Sequence, residues 1–320
     1  IEVVYKSGQK GSIEIERPAF AQVEEINPKE LGLSYKHDEN PYEDFALEVL
    51  LPQRQSTLGP ALQVGDVNQD GLDDIFCGGA TGQVASFYMQ NSEGKFAMMD
   101  NTYFNLDQLT EDLDAAFVDP NKDGFKELFI ASGGGDLAGQ NALLQDRFYA
   151  LTSTGYSKFK GVAPDVSYSS GKLVTSDIDG DGIEEILVCG AATPGKYPLS
   201  DPTLLLKYEN NVYKDVTSTI IPELTNVRLA RDAVFSDLNQ DEKLDLIVVS
   251  EWGKPAVFIQ SVDGKFVDET DSYIAEEKYG WWASIEAVDI DNDGDDDYII
   301  GNMGENIKHG VIHCLEPLPE

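Results

Sequence analysis

The sequence predicts an all-β fold, a β-propeller of four-stranded blades. Three observations predict it. One nine-residue acidic pattern recurs five times, each copy sits between two strand-like runs, and the copies begin about 52–60 residues apart. That period is longer than leucine-rich or ankyrin repeats and suits one four-stranded blade with its connections.

The copies read DVNQDGLDD from Asp66, DPNKDGFKE from Asp119, DIDGDGIEE from Asp177, DLNQDEKLD from Asp237 and DIDNDGDDD from Asp289. Before them stand ALQVG, DAAFV, KLVTS, DAVFS and IEAV; after them stand IFCGG, LFIAS, ILVCG, LIVVS and YIIGN. Alternating segments such as VASFYMQ, TLLLKY and AVFIQ come next, then a polar turn (NSEGK, SVDGK), then a last run such as FAMMD or FVDET. Short runs rich in Val, Ile, Phe and Tyr and bounded by Gly, Asn and Asp read as strands. The order within a repeat is therefore strand, acidic loop, strand, strand, turn, strand. One such unit cannot bury both of its faces, so several must pack radially. Helical periodicity is confined to residues 28–33 and 107–112.

Boundaries follow from the period. Residues 1–16 read as the end of a preceding small β domain or blade. Residues 17–58 read as the last strand of a preceding blade and a connection. Residues 59–320 hold the repeats, divided as 59–112, 113–170, 171–230, 231–281 and 282–320. The expected ring has about 6–7 blades, with an incomplete ring in this chain as the alternative.

The acidic loop carries the recognisable chemistry. Positions 1, 3, 5 and 9 supply side-chain oxygens and position 7 a backbone carbonyl. The candidate metal ligands are Asp66, Asn68, Asp70, Leu72 and Asp74; Asp119, Asn121, Asp123, Phe125 and Glu127; Asp177, Asp179, Asp181, Ile183 and Glu185; Asp237, Asn239, Asp241, Lys243 and Asp245; and Asp289, Asp291, Asp293, Asp295 and Asp297. All are hard oxygen donors without His or Cys, which selects calcium over zinc or copper, and their number suits calcium better than magnesium. Up to five calcium ions with a structural role are expected. An EF-hand is excluded, because position 12 is apolar (Cys77, Ile130, Val188, Val248, Ile300) and the flanks are strands. Position 6 is Gly in four loops, as a left-handed turn favours. Glu242 occupies it in the fourth, which predicts the weakest site or a reshaped turn.

The chain has 58 acidic and 23 basic residues, a formal net charge of −35. Repulsion on that scale opposes compaction unless cations offset it. The same charge argues against nucleic acid or an anionic membrane surface as partner. No run approaches the ~18 apolar residues of a membrane helix, so membrane insertion is not expected. The chain opens on Ile1 with no visible signal peptide, which reads as a processed product or part of something longer. Cys77 and Cys189 lie in apolar runs and read as small buried hydrophobes; with Cys314 they are too few for a disulfide framework.

Other side chains offer weaker candidate sites. His309 and His313 stand four apart without an evident third ligand. His37, with Tyr35 and Tyr42, lies in a polar connection, SYKHDENPYED, where a Tyr/His acid–base pair competes with a solvated loop. GGGD at 133–136 follows a strand but lacks the spacing and Lys of a phosphate loop. Trp281 and Trp282 are neighbours on one run, so they face opposite ways; core packing competes with stacking on a sugar or anchoring a partner.

The loops resemble FG-GAP and VCBS repeats, which form integrin-α-like propellers. The stretches LGLSYKHDENPYEDF, LLPQRQSTLGPALQVGDVNQDGLDD, GKYPLSDPTLLLKYENN, EWGKPAVFIQ and GWWASIEAVDIDNDGDDDYIIGNMGEN together resemble repeat-containing ASPIC/UnbV-type proteins, common among secreted and surface proteins of Bacteroidetes-like bacteria. The opening IEVVYKSGQKGSIEIE is similar to the end of the small β domain naming that group. The resemblance covers roughly residues 1–305 and leaves the tail from Asn306 outside the pattern. It implies architecture and a bacterial surface or periplasmic setting, and no defined activity.

The expectation is an extracellular calcium-binding propeller that recognises a protein or glycan in adhesion, and not an enzyme. The alternatives are a polysaccharide lyase or hydrolase on the same scaffold, and a structural subunit of a larger surface complex for secretion or uptake. Extracellular placement follows from ion supply, since weak loops fill only at millimolar calcium.

Overall fold

The computed structural model describes residues 2–4, 10–12, 25–100, 102–139, 141–159, 162–275 and 278–304. His309, His313 and Cys314 lie outside them, as does most of residues 1–24. Strands β1 (Glu2–Val4) and β2 (Lys10–Ser12) pair antiparallel. Residues 25–58 hold a 3-10 turn, Pro28–Leu31, and a short helix, α1 (Asp44–Leu47); the last strand of a preceding blade, expected from residue 17, falls on a segment whose first part, 17–24, lies outside the described residues.

Four four-stranded antiparallel sheets follow, each a meander in chain order. The first is β3 (Leu62–Gly65), β4 (Asp74–Cys77), β5 (Ser86–Gln90) and β6 (Phe96–Met98). The second is β7 (Glu111–Val118), β8 (Glu127–Gly133), β9 (Arg147–Thr152) and β10 (Gly155–Lys158). The third is β11 (Ser170–Ser176), β12 (Glu185–Gly190), β13 (Leu204–Glu209) and β14 (Val212–Asp215). The fourth is β15 (Ala230–Ser236), β16 (Asp245–Ser250), β17 (Ala256–Gln260) and β18 (Phe266–Asp268). A fifth sheet shows two strands among the described residues, β19 (Trp282–Val288) and β20 (Asp297–Asn302). Each acidic loop joins the first strand of a sheet to its second, in the order expected. The helix expected at 107–112 lies earlier, as α2 (Thr102–Leu106). The Asp100 carboxylate accepts the Thr102 N–H at 2.9 Å and its hydroxyl at 2.6 Å, starting the helix there, and Glu111 already opens β7.

The second strands read as unbroken apolar runs because both of their faces are covered. In β12, Ile186 and Val188 face the second sheet while Leu187 and Cys189 face the fourth. In β8, Phe129 and Ala131 face the third sheet while Leu128 and Ile130 face the first. In β16, Leu246 and Val248 face the third sheet while Ile247 and Val249 face the fifth. Side chains alternate with period two, so one strand feeds two cores. The first strands lie side by side, β3 against β7, then β11, β15 and β19. This succession of sheets packed face to face is propeller-like, as the repeats predict. Cys77 and Cys189 are buried free thiols, and burial pushes both above the ordinary thiol range.

Carboxylates join neighbouring first strands. The strands β7, β11, β15 and β19 each break register near their start. Asp114, at one such break, accepts the Leu173 N–H of the next sheet at 2.9 Å, and Asp232 accepts that of Ile285 at 3.1 Å. Asp112 accepts the Gly79 N–H at 2.8 Å and is paired with Arg147; both ionic side chains are buried.

Removing one member of such a pair leaves an uncompensated buried charge. Arg147→Met is expected to cost about 3–5 kcal/mol in urea unfolding, and adding Asp112→Asn to restore much of it. Equal stability of the two variants would show that the pair is not coupled.

Candidate metal centres

Each loop is wound by its own carboxylates. The position 1 carboxylate accepts the N–H groups of positions 5 and 6: Asp66 takes Asp70 at 3.2 Å and Gly71 at 2.8 Å, and Asp119 takes Asp123 at 3.1 Å and Gly124 at 2.8 Å. Asp177, Asp237 and Asp289 do the same. The position 5 carboxylate accepts the N–H of position 7 in every loop. This winding gathers the oxygens of positions 1, 3 and 5 without help from the rest of the sheet.

Two residues per loop adopt left-handed backbone. Position 6 has φ of 84° at Gly71, 87° at Gly124, 81° at Gly182 and 96° at Gly294. Glu242 takes 67° in the fourth loop, so that turn keeps its shape at a steric cost. The second left-handed position is 4, occupied by Gln69, Lys122, Gly180, Gln240 and Asn292. Four of these carry side chains, and three reach the next loop: the Gln69 amide lies against Gly124, Lys122 Nζ donates to the Asp181 carbonyl, and Gln240 Nε2 donates to Asp295 at 3.3 Å. These contacts place the loops at one end of the molecule.

Position 9 fixes the loop to its sheet, and Glu185, like the aspartates, accepts the position 2 N–H, from Ile178 at 3.1 Å. Asp74 and Asp245 are fully buried. Each accepts one N–H from position 2 and one from the third strand: Val67 and Gln90 for Asp74, Leu238 and Gln260 for Asp245. Burial first, then the loop carboxylates, raises both above the ordinary Asp range. The longer Glu127 reaches into the loop instead. Its Oε1 accepts from Asn121 at 3.1 Å while its buried Oε2 has no partner. Burial, with Asp123 and Asp119, pushes Glu127 up to about 7. Continued by one pair, the strand register sets Met89, Ala150, Lys207 and Ile259 opposite position 9 in the first four sheets. In the third, Lys207 Nζ lies 2.9 Å from Glu185 Oε1 and also pairs with Asp179 and Asp181. An ammonium thus stands among the third loop's candidate ligands, and in the fourth Lys243 Nζ sits 2.8 Å from Asp241. The spacing predicts ligands at positions 1, 3, 5, 7 and 9 and gives no sign of either lysine's pairing.

Where position 3 is Asp, three carboxylates converge. Asp177, Asp179 and Glu185, and likewise Asp289, Asp291 and Asp297, bring oxygens within 4.8 Å of one another. In the first and second loops Asn68 and Asn121 fill position 3, and their oxygens accept the N–H of position 5. The carboxylates of the third and fifth loops could hold a hard divalent cation.

The opposite end holds a second polar cluster. The segment from residue 34 to 55 is a packed strap there and not a solvated loop: Gln83 Nε2 donates to the Lys36 carbonyl at 2.7 Å, Gly135 N donates to the Gln55 carbonyl at 3.1 Å, and Tyr197 N donates to Glu48 at 2.6 Å. Tyr35 donates to the Gly78 carbonyl and lies 2.9 Å from His37 Nδ1; His37 Nε2 lies 2.6 Å from Glu39. Burial, aided by Cys77, Asp112 and Glu39, raises the Tyr35 phenol well above its usual range. Glu111, buried beside Asp136, is held up at about 10, chiefly by that burial. Tyr42 does not join the Tyr35–His37 contact; its N–H is turned onto Asn40. Trp281 is buried, Trp282 is half-buried with Nε1 on the Gly253 carbonyl at 3.0 Å, and the exposed indole is Trp252.

A family model for the FG-GAP-like repeat matches residues 66–130 and 237–300, which begin at the first and fourth loops. No curated protein matches the chain. Among solved structures, the chain is similar to the V. cholerae biofilm matrix protein Bap1, with TM-score 0.35 and 16% identity. The likeness covers 78% of this chain and 37% of that one, so the chain spans little more than a third of that structure. No helix among the described residues is long and apolar enough to cross a membrane.

Two expectations follow for the metal-free protein. A carboxyl raised in the fold stabilises it fully below the ordinary Glu range and loses that contribution as pH rises through its folded value. Glu127 should therefore make wild type lose stability relative to Glu127→Gln between about pH 4.3 and 7; parallel melting curves across that window would refute the assignment. Glu242→Gly should raise stability in denaturant by about 1 kcal/mol, through relief of left-handed strain.

Proposed function

We propose that the chain is an extracellular calcium-binding propeller module that recognises a protein or glycan ligand, in an adhesive role. The observation that carries this reading is the recurrence of one prewound oxygen-rich loop at a single end of five successive sheets. Calcium fits the donors: carboxylates and Asn oxygens at positions 1, 3 and 5, a carbonyl at 7 and a carboxylate at 9. Bound there, it supplies positive charge at carboxylates that burial and mutual repulsion hold above their ordinary range. Glu127 Oε2, buried and unpartnered, is the oxygen most in need of such a partner. The third loop, already neutralised in part by Lys207, gains least from an ion. Affinities like those of weak extracellular modules would fill these loops only outside the cytoplasm. The FG-GAP-like repeats support the same architecture.

An acid–base enzyme built on Tyr35 and His37 draws less support. A tyrosine base needs a phenol that ionises easily, whereas Tyr35 is buried, donates to the Gly78 carbonyl and is pushed upward. Its geometry suits holding the strap onto the first sheet.

Calcium that binds only the folded state raises stability by mass action, about 2.7 kcal/mol per site at a hundredfold excess over Kd. The thermal midpoint in millimolar calcium should exceed that in excess chelator by many degrees, with magnesium giving a smaller rise. An unchanged midpoint would mean that the loops are acidic turns only.

A further inference from the structure

We propose that a cavity at the end opposite the metal loops, between the third and fourth sheets, binds a carbohydrate, with Trp252 as the stacking platform. This rests on the recognition reading above and names its ligand class and site.

Backbone strain points to the cavity. Nine non-glycine residues have positive φ among the described residues. Five lie in the metal loops, and Asn210 and Asn211 form the tight turn between β13 and β14. The remaining two are Leu229, at 52°, and Trp252, at 61°. Both line one cavity of about 600 Å³, and the Glu251 N–H joins them by donating to the Leu229 carbonyl at 3.1 Å. Bulky residues seldom adopt this backbone, and where they do the surroundings over-determine it, most often at ligand sites. Trp252 lies in the turn that joins β16 to β17 and Leu229 just before β15, yet unlike the Asn210–Asn211 pair both are bulky residues, for which this backbone is costly.

The indole is exposed yet held. Trp252 is 42% accessible. Its Nε1 donates to the Tyr197 hydroxyl at 2.6 Å, and that hydroxyl donates to Glu251 at 2.9 Å. Its ring meets the buried Trp281 edge-on, with centroids 4.9 Å apart at 60°. A large apolar ring held by two such contacts loses little entropy when a ligand covers its free surface.

The walls select the ligand class. Glu223 and Asp268 offer acceptors, Arg228 offers donors and Asn226 offers both, around an apolar platform. A pyranose presents a C–H face to an indole and hydroxyls, which donate and accept, to such a rim. The volume suits one or two sugar units and is concave, unlike a flat protein interface.

The test uses the full chain with calcium in affinity electrophoresis through dextran, xylan, polygalacturonate or alginate. At least one polysaccharide should retard wild type. Trp252→Ala should weaken that retardation tenfold or more at an unchanged calcium-loaded melting midpoint. Trp252→Tyr, which keeps a ring, should lose less, and Tyr103→Ala, at another exposed aromatic, nothing. Equal retardation of wild type and both Trp252 variants overturns the site and leaves glycan recognition standing. No retardation of wild type in any gel overturns carbohydrate as the ligand, while a protein ligand stays open to the broader reading.

Discussion

The structure depends on a carboxylate buried at the corner where the acidic loop of each of the four full sheets enters its second strand. Asp74 and Asp245 show the constraint at its simplest: one oxygen holds the N–H of the loop's second residue, the other that of the third strand. Loop, second strand and third strand are joined through one side chain with almost no solvent around it. Such a group is costly to bury charged. Backbone N–H groups offset part of that cost, and the remaining oxygens of the loop collect beside it. The fold thus creates a demand for positive charge at the place where it needs rigidity. The four full sheets meet that demand differently. The second leaves a Glu127 oxygen without a partner, and the third supplies Lys207.

Negative charge elsewhere in the molecule is also put to structural use. Asp114 and Asp232 accept backbone N–H groups from the next sheet, and Asp112 holds Gly79 while paired with Arg147. The net charge of −35 is therefore not only a solvated coat. Many carboxylates act as acceptors at joints where meanders of short strands leave N–H groups unpaired. The two ends of the molecule divide the work. One end carries the loops and their left-handed turns; the other carries the strap of residues 34–55, the Glu111–Asp136 pair and the cavity beside Trp252.

The sequence made the repeat unit legible because its constraints are local. A loop that winds about its own carboxylates needs Asp or Asn at alternate positions and Gly at the sixth, whatever surrounds it. The second strands were legible as apolar runs, although only the structure explains them: ILVC in β12 serves two cores at once. The left-handed fourth position was missed, because Gln69, Lys122 and Gln240 give no compositional sign of it. The helix expected at 107–112 was displaced for a similar reason, since Asp100 fixes its start through a single side-chain contact.

The sequence by itself determined the all-β repeat, the winding of the acidic loops and the burial of Cys77 and Cys189, since each follows from residue type and short spacing. Tertiary structure decided which oxygens are already taken. Whether Lys207 stands among the loop carboxylates depends on strand register, and whether Tyr35 is a base or a strut depends on its contact with Gly78. Of three tryptophans, packing between sheets exposed the one at position 252. These outcomes turn on contacts between residues far apart in the chain, where no spacing rule operates and only the packed geometry fixes who meets whom.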